Sequence, residues 1–196
     1  MLLPTSCPAC GTVGPAPCAD CRMALLPAPA LPPPTGLASC VALMAYEGVG
    51  REIVARLKYA NARSSVPWLG VGMAAAVRRL APGLDVVTWV PTTAQRRHRR
   101  GFDQGRILAT EVARHLGLPG RPLLVRLPGP SQTGRSRAER LGGPRLVARR
   151  TGVAGRVLLV DDVVTTGATL TIAAGVLRDK GAGEVHAVVV ARRGLH

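Results

Sequence analysis

Apolar runs and stretches of helical period alternate along this chain. Val157–Val160 (VLLV) is apolar without interruption, the mark of a strand covered on both faces of a parallel sheet. Glu184–Ala191 (EVHAVVVA), Leu84–Pro91 (LDVVTWVP) and Leu123–Leu127 read as further strands, and SCVALMAYEG reads as a first strand ended by Gly48. Between them lie helical stretches. Ile53, Val54 and Leu57 have helical spacing within Gly50–Asn61, Val66–Leu80 suits a helix on the outside of a sheet, Asp103-Gln104 open a helix reaching about His115, and another runs from Ala168 to about Asp179. Gly129–Arg150 reads as loop and short helix. Strands separated by helices place the chain in the α/β class.

The N-terminal end departs from this pattern. Cys7-Pro-Ala-Cys10 and Cys18-Ala-Asp-Cys21 are two C-x2-C pairs seven residues apart, each able to deliver two thiolates to one tetrahedral Zn²⁺, with Gly11, Gly14, Pro15 and Pro17 supplying turns. Two disulfides are the alternative, disfavoured in a reducing compartment. Cys40 has no partner pattern and reads as a small core residue. Residues 24–36 (ALLPAPALPPPTG) form a Pro-rich linker, expected to be extended and poor in hydrogen bonds. The expected organisation is a knuckle at 1–23, the linker at 24–36 and one domain at 37–196.

Composition adds a charge. The 196 residues are 47% hydrophobic, enough for a core, and carry a net charge of +15 almost entirely through arginine. An electropositive surface suits phosphate-rich ligands, nucleic acid or an anionic partner, although arginine-rich composition also arises from genomic bias. Aromatic residues are only 3%, so stacking platforms for single strands are scarce. The first ten residues have neither the basic start of a signal peptide nor a spanning length of apolar residues, so no membrane insertion and a cytoplasmic location are expected.

The chemistry concentrates in Val157–Leu170, VLLVDDVVTTGATL. Asp161 and Asp162 follow a buried strand, where open α/β sheets place their ligands. Thr165, Thr166, Gly167, Ala168 and Thr169 then offer small N–H and O–H donors at a helix start. Carboxylates suit a ribose diol and the turn suits a phosphate, so the stretch reads as a sugar-phosphate clamp; a structural helix cap is the plainer account, but it leaves two adjacent acids unexplained. Lys58 stands out in a chain with one other lysine, either as a ligand contact or as a solvated residue at a helix end. Gln95–Gln104 packs Arg96, Arg97, His98, Arg99 and Arg100 together, a loop expected to be mobile until an anion orders it. Gly70-Val-Gly72-Met-Ala-Ala75 fits a dinucleotide pattern but follows no convincing strand.

Val157–Leu170 resembles the thirteen-residue phosphoribosyl pyrophosphate motif of type I phosphoribosyltransferases. Together with Cys7, Cys10, Cys18 and Cys21, the Tyr46-to-Tyr59 segment, Val90-Pro91, Arg97–Gln104, Ser131-Gln132 and Ser136–Arg140, it makes the chain similar to the ComF family, phosphoribosyltransferase-like proteins linked to DNA uptake in natural competence. Asp103 stands where that family typically has Asn, and Gly143 where Asn is common. The resemblance implies a type I phosphoribosyltransferase fold, a parallel sheet of about five strands flanked by helices behind a small zinc knuckle. It also implies binding of phosphoribosyl pyrophosphate with Mg²⁺. Asp161 and Asp162 would hold the ribose hydroxyls and help retain the magnesium, and the Thr165–Thr169 turn would hold the 5-phosphate. From position and charge, Lys58 is expected on the pyrophosphate, with Arg97, Arg99 or Arg100 neutralising it. The alternative function is a non-catalytic protein that binds single-stranded DNA and a competence helicase, keeping the phosphoribosyl site as sensor or scaffold. No nucleobase-specific hood is identifiable, and purine or pyrimidine salvage finds no support.

Overall fold

A computed structural model describes residues 5–58, 62–128, 144–149 and 153–194. In chain order the elements are α1 (Ala19–Met23), β1 (Ser39–Ala45), α2 (Gly48–Lys58), a 3-10 turn (Ala62–Ser65), α3 (Val66–Leu80), β2 (Val86–Trp89), α4 (Ala94–Arg100), α5 (Gln104–Leu116), β3 (Leu124–Arg126), β4 (Leu146–Ala148), β5 (Arg156–Val164), α6 (Ala168–Arg178) and β6 (Glu184–Arg192). Four strands form a parallel sheet in the order β1-β6-β5-β2. Gly120 adds an isolated parallel bridge to Val87, the beginning of a fifth strand position. Strands β3 and β4 pair antiparallel as a separate small sheet.

Both faces of the main sheet are covered, which is why its strands lack polar alternation. Leu158 and Val160 of β5 join a core with α2, α3 and α5, whereas Val157 and Leu159 join another with Leu170, Ala173, Ala174 and Leu177 of α6. The connection after β2 therefore leads to one face and that after β5 to the other. Strands whose continuations part in this way leave a crevice beyond their carboxyl ends. β2 stops pairing with β5 at Trp89–Val160, while β5 continues along β6 as far as Val164–Arg192.

Two expected loops contain regular structure. The arginine run forms α4, because the Thr93 hydroxyl accepts from the Arg96 N–H at 3.2 Å and Gly101, at φ 77°, closes the last turn. Part of Gly129–Arg150 is β4, stabilised by pairing with β3; 129–143, with the Ser131-Gln132 and Ser136–Arg140 pieces and Gly143, and residues 59–61, with Tyr59, lie outside the described residues. Gly70 and Gly72 are packing positions in α3: a Cβ at Gly70 would stand 2.3 Å from Glu111 Cγ, and one at Gly72 2.8 Å from Leu43 Cδ1. Among the described residues, no helix is long and apolar enough to cross a membrane.

The linker is extended, yet it is well bonded. The buried Arg192 guanidinium donates to the Leu31 carbonyl at 3.0 Å and the Pro32 carbonyl at 2.6 Å, and Ala45 N–H donates to Leu26 O at 3.0 Å. Pro34 lies against the turn before α6, where a Cβ on Gly167 would come within 2.7 Å of Pro34 Cγ. We expect Arg192→Met to lower stability by about 1.5–3 kcal/mol, the range for hydrogen bonds to charged groups. Urea unfolding reads that loss, and limited proteolysis should show new cleavage within 24–36.

Candidate phosphoribosyl site

Local structure explains why this crevice is polar. Beyond Val160, Asp161 and Asp162 project from the part of β5 that β2 no longer covers. Lys58 ends α2, whose buried Ile53, Val54 and Leu57 fix its direction, and its ammonium lies 3.3 Å from Asp162 Oδ2. Arg96 and Arg100 are one turn apart on α4, so both reach the same side. With Arg126 from β3, these groups line a cavity of about 340 Å³ over the ends of β2 and β5. Buried Gln104 ties the walls together: its amide NH₂ donates to Leu57 O at 3.3 Å, and its oxygen accepts from Arg100 Nη1 at 2.6 Å.

Asp103 also borders the cavity. Its two oxygens accept from Thr92 N–H and Arg106 N–H, each at 3.2 Å, so it caps α5 and holds the preceding turn. Both contacts require only an acceptor. An acid therefore serves here where the resemblance leads one to expect an amide.

The carboxylates are unequal. Burial first, and then the neighbouring Asp162 charge, push the Asp161 carboxyl well above the usual range; the Asp162 N–H, donated to Asp161 Oδ1 at 2.9 Å, and the charges of Lys58 and Arg126 offset this only in part. Arg126 is pulled below its usual value by burial and by Arg96, against Asp161. The cavity thus holds cations and acids close together, two of them partly or fully desolvated, a setting in which an arriving phosphate or diol would change the balance strongly.

The turn 165–169 adjoins this cavity through Thr169 and encloses a small pocket of about 40 Å³. Gly167, at φ 80°, caps α6 with no side-chain hydrogen bond; nearby, Ala168 N–H reaches the Thr166 hydroxyl at 3.4 Å. The first turn of α6 is thereby presented to an anion. Of the residues singled out in sequence, Lys58, Arg100, Asp161, Asp162 and Thr169 meet at the larger cavity, and Thr165, Thr166, Gly167 and Ala168 line the smaller one. Arg97 turns instead toward a second side of α4, and Arg99 is exposed. Arg96, Arg126 and Gln104 belong to the site without having been singled out for it. A heptapeptide helix read from Thr93 and Gly101 would have paired Arg96 with Arg100.

The cysteines form their own centre. The four Sγ atoms lie within 4.8 Å of one another, and Cys10 and Cys18 are 3.7 Å apart. An S₄ tetrahedron with metal–sulfur bonds of about 2.3 Å has edges of about 3.8 Å, so the cluster fits a single metal ion. Burial opposes ionisation of Cys7, but N–H donors at Cys10, Cys18 and Ala9 outweigh it and bring the thiol to about 6, whereas burial and the neighbouring cysteines push Cys21 to about 12. One thiolate readily formed beside thiols that resist further charge is what a cation would relieve.

Because the carboxyl of Asp161 has a folded-state pKa above its ordinary 3.8, the folded protein holds that proton more tightly than the unfolded chain. The stability gained this way is present in acid and is lost as pH rises from 3.8 through the raised value. Asp161→Asn should therefore unfold at higher temperature than the wild type near neutrality, with the gap closing in acid. A gap that does not change with pH would contradict the assignment.

With this geometry in hand, the relatives can be placed. The family described as phosphoribosyl transferase domain matches residues 103–195. Competence protein ComFC of Bacillus subtilis is 27% identical over 139 residues, 69% of this chain and 56% of that protein, so the chain spans little more than half of its curated relative. Among solved structures, one described as the allosteric regulatory enzyme of purine biosynthesis aligns with 28% identity and a TM-score of 0.50, over 71% of this chain and 30% of the other. The glutamine phosphoribosylpyrophosphate amidotransferase of B. subtilis aligns with 30% identity and a TM-score of 0.48, over 66% and 26%. The chain is thus similar to phosphoribosyltransferase-like proteins, ComFC among them, and has a parallel α/β sheet behind a four-cysteine cluster.

Proposed function

We propose that the cavity binds phosphoribosyl pyrophosphate together with Mg²⁺. The observation that carries this reading is the joining of the Asp161–Asp162 pair to Lys58, Arg96 and Arg100 in one cavity that continues into the 165–169 turn. The two carboxylates accept from the ribose 2- and 3-hydroxyls. The turn and the first N–H groups of α6 hold the 5-phosphate. Lys58, Arg96 and Arg100 face the pyrophosphate, with Arg97 and Arg99 on the outer sides of the same helix. Asp161 and Asp162 would help hold the Mg²⁺, which would supply further neutralisation of charge on the leaving group. In a transfer reaction the C1–O bond breaks with its electron pair going to pyrophosphate, and a nucleophile adds to the cation-like C1. The residues named act by charge and position, and none of them is assigned as a general base.

The name of the B. subtilis relative favours competence as the setting, and we place the protein in the cytoplasm as part of the same proposal. The exposed arginines of α4 favour a second reading, in which the phosphoribosyl site is kept as a sensor while this face meets single-stranded DNA and a competence helicase. For the cysteine cluster we propose a structural Zn²⁺, since its donor set is four sulfurs at tetrahedral spacing.

Calorimetry of phosphoribosyl pyrophosphate with Mg²⁺ tests the central reading. Saturable binding is expected, weakened about tenfold or more in Asp162→Asn; no heat in the wild type would remove both the transferase and the sensor. Pyrophosphate release with a panel of bases then separates these two. For the cysteines, metal analysis should return one zinc per chain, and chelation should lower the unfolding temperature. A purified, folded chain with far less zinc than that would overturn the assignment.

A further inference from the structure

The phosphoribosyl cavity is bordered by a larger one. It opens between the Gly101–Phe102 turn, the first turns of α5 and the segment 120–124, has a volume of about 590 Å³, and shares Pro91 and Asp103 as a wall with the first cavity. Its walls combine two chemistries. Trp89, Phe102 and Ile107 supply apolar and aromatic surface, and Arg97, Arg106 and Arg149 supply guanidinium groups. In a chain with one phenylalanine and two tryptophans, placing the phenylalanine and one tryptophan together here is a marked concentration.

Both sets are ready for a ligand. The Arg63 guanidinium lies 5.0 Å from the centroid of the Phe102 ring, and Arg63 is not part of the cavity wall. A cation on one aromatic ring does not prevent a second group from stacking on it, and Phe102 itself lines the cavity. Among the described residues, none of Arg97, Arg106 and Arg149 makes an ion pair. Asp103, the acid in this wall, is occupied by two backbone N–H groups. Three cations beside an aromatic surface, in a cavity of the size that small ligands fill, suit one flat ring joined to one phosphate.

We propose that this cavity is a binding site for a nucleoside 5′-monophosphate, distinct from the phosphoribosyl site. The base stacks on Phe102 and Trp89, and the phosphate pairs with Arg106 and Arg149. The volume of about 590 Å³ accommodates one nucleotide, and the proposal commits to that occupant, with a strand of nucleic acid as the outcome that would oppose it. The inference does not depend on phosphoribosyl pyrophosphate binding next door. The shared wall gives an occupant a direct route to that site, because Pro91 and Asp103 touch both cavities.

The test uses the full chain with Trp68→Phe, so that Trp89 is the remaining tryptophan and reports ligand at the cavity wall. Guanosine 5′-monophosphate should quench its fluorescence saturably. Arg106→Ala should weaken binding by about tenfold or more, and Phe102→Leu, which keeps apolar bulk and removes the ring face, should weaken it as well. Arg106 is exposed, so an unchanged unfolding temperature in that variant assigns its loss of binding to the ligand contact rather than to the fold. Excess phosphoribosyl pyrophosphate should leave the nucleotide bound. Equal binding of guanosine or of inorganic phosphate alone, displacement by phosphoribosyl pyrophosphate, or binding of oligonucleotides in the absence of any for the mononucleotide would each overturn the proposal.

Discussion

Two carboxylates held side by side at the end of a buried strand are costly in free energy, and much of this molecule is arranged around that fact. The sheet places Asp161 and Asp162 where β2 has ended, so a crevice with polar groups replaces a third layer of packing. Lys58 offsets one of the charges at 3.3 Å, and burial keeps the other acid inclined to hold its proton. The cations around them face the opposite difficulty. Arg96, Arg100 and Arg126 crowd one small volume, and burial and Arg96 together draw down the affinity of Arg126 for its own proton. A site so balanced has low intrinsic stability, and the ligand proposed for it, with a diol at one end and phosphates at the other, would resolve both strains at once.

The parts of the fold that were legible in the sequence are those decided by burial. Val157–Val160 and Glu184–Ala191 could only be strands covered on both faces, and the two faces of β5 meet different helices. The Asp pair and the 165–169 turn were legible for a related reason, since polar residues immediately after such a strand have few structural uses. Elements fixed by their ends were harder to read. Helix α4 buries no residue, so it has no apolar period to detect; Thr93 and Gly101 make it a helix. Strand β4 is three residues long and depends on β3, whose paired residues lie 20 to 24 positions earlier, as Leu124 does from Ala148.

This difference in kind explains how the site was read. Taken as a loop, the arginine run gives no reason to prefer one guanidinium over another. As a helix it sorts them: Arg96 and Arg100 share the face toward Asp161, while Arg97, one position on, looks toward the neighbouring cavity. Gln104 was invisible for another reason. Its value lies in joining Leu57 to Arg100, residues 47 and 4 positions away, and no local pattern records a contact of the longer kind.

The linker gives the fold a property that its composition conceals. Chains rich in proline are usually regarded as tethers, and a tether can be cut or lengthened without effect on what it joins. Here Arg192, at the last residue of the central hairpinless sheet, grips Leu31 and Pro32, and Pro34 rests on the glycine that opens α6. A fragment beginning after residue 36 would therefore be more than a shortened protein. It would expose an arginine that is now buried and unroof the turn on which a phosphate would sit, so the boundary visible in composition is no boundary in mechanical terms.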